Sequence, residues 1–195
     1  MTRTGALPVT VRPMAAADLD PVLTVVAASP EAPRWTAADY AAYFAPLEAS
    51  PSLPRAAFVA CPADTVLGFA AATLRPDPAH QPDHASQSCP TLCELDSIAV
   101  HPGLRRQGAG VFLLRAVLTW AAAQGARRLI LEVRASNAPA LALYHRLGLR
   151  VEGRRPRYYA HPEEDALLLG TNVTSALPPD SFSTEIVIEG GPPRC

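Results

Sequence analysis

Six consecutive residues, Arg105-Arg106-Gln107-Gly108-Ala109-Gly110, constrain this chain more than any others. They join an apolar run over 92–100 to a strongly helical pattern over 108–124, where Leu114, Val117, Leu118 and Ala121 fall on one face and Gly125 marks the stop. A glycine-rich turn on its own is weak information, because surface loops often carry one. Placed after a strand and at the start of a helix, it points unpaired backbone N–H groups outward with partial positive charge. Such a turn is a diphosphate site in waiting. Any fold for this chain must therefore bring a strand end, this turn and a helix start together at an open edge.

Charge agrees with an anionic ligand. The net charge is −1, yet residues 101–157 hold eleven arginines against two acids, Glu132 and Glu152, a formal +9. A local positive field of that size suits a polyanion. Part of the arginine excess is a habit of the whole sequence, which contains no lysine. No recognition-helix or single-strand-binding signature appears, so nucleic acid is not expected as a partner. No run of about 18 apolar residues occurs and the first eight residues lack an apolar core, so neither a membrane span nor a secretory signal is expected. The expected compartment is the cytoplasm, where the four cysteines, Cys61, Cys89, Cys93 and Cys195, would be thiols. His80, His84, Cys89 and Cys93 have ligand types that suit zinc. Their spacing fits no standard motif, and the Pro-, Asp-, Gln- and Ser-rich stretch 75–90 reads as a long loop. No metal is expected.

The rest of the pattern predicts a mixed α/β sheet. Residues 9–12 read as a strand, and 15–28 as a helix with Leu19, Val22, Leu23 and Val26 on one side. Thr36 caps a second helix through residue 44. Residues 56–60 and 66–74 pair around the turn Pro62-Ala63-Asp64. Arg128-Leu129-Ile130-Leu131-Glu132-Val133 is nearly continuously apolar and is expected to be buried on both faces. Ser136 or Asn137 caps a helix to Leu147, and strands over 151–159 and 166–169 close the sheet. The tail 171–195 either adds a strand at 183–188 or stays unstructured.

Several motifs in order carry a resemblance. They are E-L-x-x-I-A-V at 94–100, R-x-x-G-x-G at 105–110, L-E-V-R-x-S-N at 131–137 and A-L-Y at 142–144. G-x-R-x-x-Y-Y at 153–159, E-D-A at 164–166 and Pro33-Arg34-Trp35-Thr36 complete the set. Over residues 9–169 the chain resembles the GCN5-related N-acetyltransferases, and within them the group that acetylates the N-terminal alanine of ribosomal protein S18. The resemblance implies a mostly antiparallel central sheet flanked by helices, with two strands splayed at an acetyl-CoA cleft. It implies one catalytic domain over 1–170 that includes the loop 75–90. Ile98, Ala99 and Val100 would meet the pantetheine arm, with the Val100 N–H free to stabilise an oxyanion. Arg105, Arg106, Gln107, Gly108, Ala109 and Gly110 would wrap the diphosphate, and Asn137 would bond the pantetheine side. Glu132 would be the general base and Tyr144 the general acid. Trp35, Tyr158 and Tyr159 would line the acceptor. The family's Gly-Phe is Gly148-Leu149 here, a core substitution; the longer loop 75–90 and the tail bear on the acceptor side.

The chemistry behind those roles is elementary. An α-amine, with a pKa near ~8, is mostly ammonium at neutral pH and must lose a proton before it attacks a thioester. Glu132 on a buried strand would be a desolvated, stronger base; alternatively it is a sheet glutamate paired with Arg134 or Arg155. Tyr144 offers a phenolic proton to a departing thiolate, or is a core tyrosine. Cys61 and Cys93 lack a basic neighbour and read as structural thiols. His101 and His145 read as surface histidines rather than bases. Two other readings remain open: the same chemistry on a small amine or an internal lysine, and a non-catalytic acetyl-CoA-binding module.

Overall fold

The computed structural model describes residues 9–33, 35–43, 53–77 and 91–176. Elements follow the order β1 (Val9–Pro13), a 3-10 turn (Ala16–Asp18), α1 (Leu19–Ala27), α2 (Ala37–Ala41), β2 (Arg55–Pro62), β3 (Gly68–Pro76), β4 (Thr91–Val100), a second 3-10 turn (Pro102–Leu104) and α3 (Ala109–Ala123). They continue with β5 (Ala126–Arg134), α4 (Ala138–Arg146), β6 (Arg150–Ala160), β7 (Glu163–Asn172) and α5 (Val173–Ala176). The strands form one sheet in the order β1-β2-β3-β4-β5-β7-β6. Every neighbouring pair is antiparallel except β4 and β5, which the crossover through α3 makes parallel. This is the mixed, mostly antiparallel sheet expected from the sequence.

The two faces are covered differently. Leu113, Leu114, Val117, Leu118 and Ala121 of α3 are completely buried against Ala70, Ala72, Leu129 and Leu131, and the buried side chains of α4 and Val173 of α5 join them. Each large aliphatic group so buried contributes roughly 1.5–3 kcal/mol. The opposite face packs α1 and α2 through Val22, Val25 and Tyr40 onto Val59, Phe69 and Ala71. Val25 takes the central place in α1 that the expected pattern assigned to its neighbours, and Leu23 and Val26 flank it. Thr36 caps α2 as expected: its hydroxyl accepts from the Asp39 N–H at 3.3 Å, and the Asp39 carboxylate accepts from the Thr36 N–H at 2.7 Å.

Three expectations change. The strand expected over 166–169 runs from Glu163 to Asn172, and α5 follows it with Val173 fully buried, so ordered packing passes residue 170. β5 is not buried on both faces. Leu129, Leu131 and Val133 enter the core, whereas Ile130, Glu132 and Arg134 are only half-buried on the α1–α2 side. Residues 15–28 form a 3-10 turn followed by α1 instead of one helix. The candidate strand 183–188, most of the loop 75–90, and His80, His84, Cys89 and Cys195 lie outside the described residues. Cys93 is fully buried on the α3 face, and burial pushes its thiol up to about 12; burial also raises Cys61.

The N-terminal turn is held by a bidentate ion pair. Asp18 accepts from Arg12 at 2.6 and 2.7 Å and from the Ala15 N–H at 2.8 Å. These bonds, led by Arg12, hold the Asp18 carboxyl below its usual range. A depressed carboxyl stabilises the fold above its unfolded value near ~4, and that stability is lost as pH falls through the folded value. Asp18→Asn is therefore expected to lose about 2 kcal/mol at pH 7 in chemical denaturation. The difference from the parent protein should shrink when the titration is repeated near pH ~3. An equal deficit at both values would show that the carboxylate charge is not what matters.

Candidate active site

β4 and β5 stay paired only from Thr91↔Ala126 to Glu94↔Ile130. Beyond that point β4 remains with β3 as far as Val100↔Gly68, and β5 remains with β7 as far as Arg134↔Ala166. Each strand is held on its outer edge, so the two arms diverge and the sheet opens between them. Ile98, Ala99 and Val100 line the β4 arm, and Glu132 lies on the β5 arm. The mouth of this split is where β4 hands over to the Arg105–Gly110 turn.

That turn is built to expose backbone. Arg106 and Gly108 have φ of 63° and 87°, left-handed values that interrupt regular structure just before α3. Gly108 is the N-cap of α3, and a Cβ there would stand 3.1 Å from the Phe112 ring. A Cβ on Gly110 would come within 3.0 Å of Leu143, so that glycine lets α3 and α4 approach. Ala109 and Gly110 are in the first turn of α3, where N–H groups have no carbonyl partner within the helix. Gln107 steadies the turn by donating to the Gly103 carbonyl at 3.1 Å. Arg105 donates from Nε to the Val100 carbonyl at 3.0 Å and lies 3.7 Å from Glu31, so its side chain links the end of β4 to the segment after α1. The open strand edges, the exposed N–H groups and a glycine where a Cβ would clash together fit an extended ligand with an anionic end.

Glu132 lies on the α1–α2 face. Its Oε1 is 3.0 Å from Arg155, and its side chain keeps 21% exposure. The bland alternative for this residue is thus partly realised: it is an ion-paired sheet glutamate as well as a cleft carboxylate. Tyr158 and Tyr159 pack edge-to-face 5.2 Å apart beside it, with Arg155 over the first ring and Arg134 over the second at 4.1 Å. The neighbouring Glu132 carboxylate, more than burial, holds the Tyr158 phenol above its usual range; for Tyr159 burial comes first and Glu132 second. Tyr144 belongs to α4 on the other face and is 4% exposed. Burial, followed by the nearby Tyr159, raises its phenol, so it stays protonated. Tyr159 is thereby an electrostatic neighbour of both Glu132 and Tyr144, which belong to opposite faces of the sheet.

The remaining expected residues have clear local roles. Asn137 caps α4 through Oδ1, which accepts from the Ala140 N–H at 3.2 Å and leaves its NH2 for other contacts. Trp35 stacks on Tyr43 at 5.7 Å and contacts Tyr40, forming an aromatic wall on the α1–α2 face. His101 accepts from the Gly103 N–H and His145 bonds the Leu149 carbonyl, so both serve turns. Leu149 is fully buried, as expected of a core substitution. Among the described residues no group of three metal-ligating side chains occurs, and no helix is long and apolar enough to cross a membrane. A shallow hollow lined by Arg128, Glu152 and Gly170 lies at the far end of β5, and an Arg128–Glu152 ion pair closes it. Sequence reasoning missed Asp96, Ser97, Thr73 and Tyr43. Asp96, a charged residue inside an apolar strand, was the available signal.

With this geometry in place, likeness to known proteins becomes decisive. A profile described as the acetyltransferase (GNAT) family matches residues 23–149. The chain belongs to that family. A ribosomal protein bS18-alanine N-acetyltransferase of Escherichia coli (strain K12) is 40% identical over 82 residues, 41% of this chain and 55% of that protein. The chain thus spans about half the length of the curated relatives it matches. The crystal structure of the ribosomal-protein-S18-alanine N-acetyltransferase from Escherichia coli has a TM-score of 0.63 and 25% identity, covering 85% of this chain and 94% of that one. Arabidopsis thaliana NAA60 in complex with acetyl-CoA has a TM-score of 0.71 and 18% identity, covering 85% and 99%, and shares the fold.

Backbone strain at the turn of this acetyltransferase-family chain is directly testable. Gly108→Ala is expected to cost more than the ~1–2 kcal/mol of a left-handed alanine, because its Cβ also meets Phe112. Gly125→Ala has the same sign of φ but open space around it, and should cost only the backbone share. Equal losses in parallel denaturation curves would mean that the Phe112 ring yields freely.

Proposed function

We propose that this chain is an acetyl-CoA-dependent N-acetyltransferase that modifies the N-terminal α-amine of a protein, with ribosomal protein S18 as the first candidate. The observation that carries the reading is the Glu132 carboxylate on the β5 arm beyond the last β4–β5 pair, with the buried phenol of Tyr144 on the opposite face of the sheet. Family membership and the printed activities of the relatives support it. The catalytic unit proposed at 1–170 gains β7's end and α5.

Acetyl-CoA supplies the activated acetyl group as a thioester. The exposed N–H groups over residues 106–110, with Arg105 and Arg106, would take its diphosphate; the free edge at Ile98, Ala99 and Val100, and the Asn137 amide, would take its pantetheine arm. Trp35, Tyr158 and Tyr159 would hold the acceptor on the α1–α2 side. The Glu132 carboxylate, with Oε1 on Arg155, accepts the ammonium proton directly or through one water, freeing the nitrogen lone pair. The buried, protonated Tyr144 hydroxyl gives its proton to the departing sulfur. One ammonium proton thus ends on Glu132, the thiol's proton comes from Tyr144, and the second proton, lost from nitrogen as the tetrahedral intermediate collapses, restores the Tyr144 phenol directly or through water, so the sum is one amide, one thiol and one proton held by Glu132.

Acetyl transfer to a peptide bearing the N-terminus of S18, beside the same peptide with its α-amine blocked, tests the reading. Transfer only to the free amine is expected; equal activity on both would remove the Nα assignment. Glu132→Gln should lower kcat about 10²–10⁴-fold with acetyl-CoA affinity retained in calorimetry, as befits a lost base. Full turnover in that variant would favour a binding module whose glutamate is structural. Tyr144→Phe should cost less, about 10-fold in kcat, because a thiolate leaves tolerably without protonation. A larger loss than for Glu132→Gln would reverse the two roles.

A further inference from the structure

β4 carries a bulge inside the split. Ser97 stands opposite Ala71 and Leu95 opposite Ala72, so Asp96 is the extra residue between them. The bulge lets two consecutive side chains serve the α1–α2 face. The Asp96 carboxylate accepts from the Tyr43 hydroxyl of the segment after α2 at 2.9 Å and from Thr73 of β3 at 2.7 Å, both on Oδ2. Ser97 shares its face with Ala71 of the α1–α2 core. It is 5% exposed, and its buried Oγ has no hydrogen-bond partner among the described residues.

Their position is defined by register. Glu94↔Ile130 is the last parallel pair; Asp96 lies two residues beyond it on the β4 arm, and Glu132 two residues beyond it on the β5 arm. No ion pair to Asp96 occurs among the described residues. Arg75 pairs with Glu94, and Arg55 lies over the Tyr43 ring at 5.6 Å. Burying a carboxylate with no ion-pair partner, next in sequence to a hydroxyl with no partner among the described residues, is expensive, and a ligand that donates to both would lift that cost.

We propose that Asp96 and Ser97 seat the acceptor as a primary ammonium, with Trp35 and Tyr43 as its aromatic wall. This rests on the N-acetyltransferase reading and adds to it the side chains that hold the acceptor: the amine is bound charged and is deprotonated only at the site. An ammonium has three N–H donors. One meets the Asp96 carboxylate, a second meets the Ser97 hydroxyl, and the third points across the split toward Glu132. Asp96 keeps its two hydroxyl partners and takes no proton; the proton leaves toward the β5 arm. Asp96 and Ser97 are specificity-determining residues, and the general base stays on β5.

Steady-state kinetics on the free-amine acceptor peptide separate binding from chemistry. Asp96→Asn should raise the acceptor KM by about 10-fold or more, leave kcat within about 3-fold, and leave acetyl-CoA affinity unchanged. Ser97→Ala, which breaks no hydrogen bond among the described residues, should raise KM by about 3-fold. In calorimetry on the CoA-loaded protein, the parent should prefer the amine peptide over its α-hydroxyl counterpart by about 10-fold, and Asp96→Asn should lose that preference. An acceptor KM within 2-fold of the parent in both variants overturns the proposal, as does a kcat loss with KM intact. Should Asp96→Asn fail to fold in a thermal melt, Ser97→Ala decides alone. A parent protein that acetylates no amine would instead sink the underlying function, and the seat with it.

Discussion

The parting of β4 from β5 is the constraint on which the rest of this molecule depends. Parallel neighbours joined through α3 would ordinarily pair along their whole length. Here pairing stops after Glu94↔Ile130, while β3 continues to hold β4 and β7 continues to hold β5. The bulge at Asp96 falls at the point of divergence and turns the β4 arm aside. Two faces that a closed sheet would isolate now communicate. That opening is what the proposed roles need, a carboxylate on the α1–α2 side and a phenol on the α4 side serving one bond-making event.

The turn after β4 converts this opening into a directional site. Strand edges are extended and nearly neutral, so they suit an amide-bearing arm. The start of α3 concentrates N–H groups and positive potential, so it suits phosphate. Placing the two end to end orders a long ligand along its own chemical polarity. Gly108 makes the junction possible because a side chain there would meet Phe112 as well as an unfavourable φ. The arginine excess around the turn then acts at longer range, by field rather than by contact.

Much of this was legible from residue order. The strand–turn–helix at 92–124, the cap at Thr36 and the buried face of α3 all follow from local pattern, and local pattern is what the structure obeys there. β5 was misread because a run of apolar letters looks the same whether both faces are covered or one opens into a cleft. The difference is tertiary: on the α1–α2 side Ile130, Glu132 and Arg134 stay half-buried. The pairing of Glu132 with Arg155 needed the β5-β7-β6 order, which no spacing encodes. Asp96 was hidden more deeply, since a bulge changes which face a residue serves without leaving a mark in the alternation.

Glu132, the proposed base, is ion-paired. While the pair lasts, one of its carboxylate oxygens is engaged by Arg155. Arg155 is 54% exposed, so withdrawing it into water costs only the ~1 kcal/mol or less typical of surface pairs. Glu132 is more enclosed, and leaving it alone in the cleft would be the costly step. An arriving ammonium removes that cost, because it replaces one cation with another beside the same carboxylate. On the proposed reading, exchange of partners would couple acceptor arrival to activation of the base: Arg155 holds Glu132 in the free protein, and an incoming amine would take that place and present the proton to the same carboxylate.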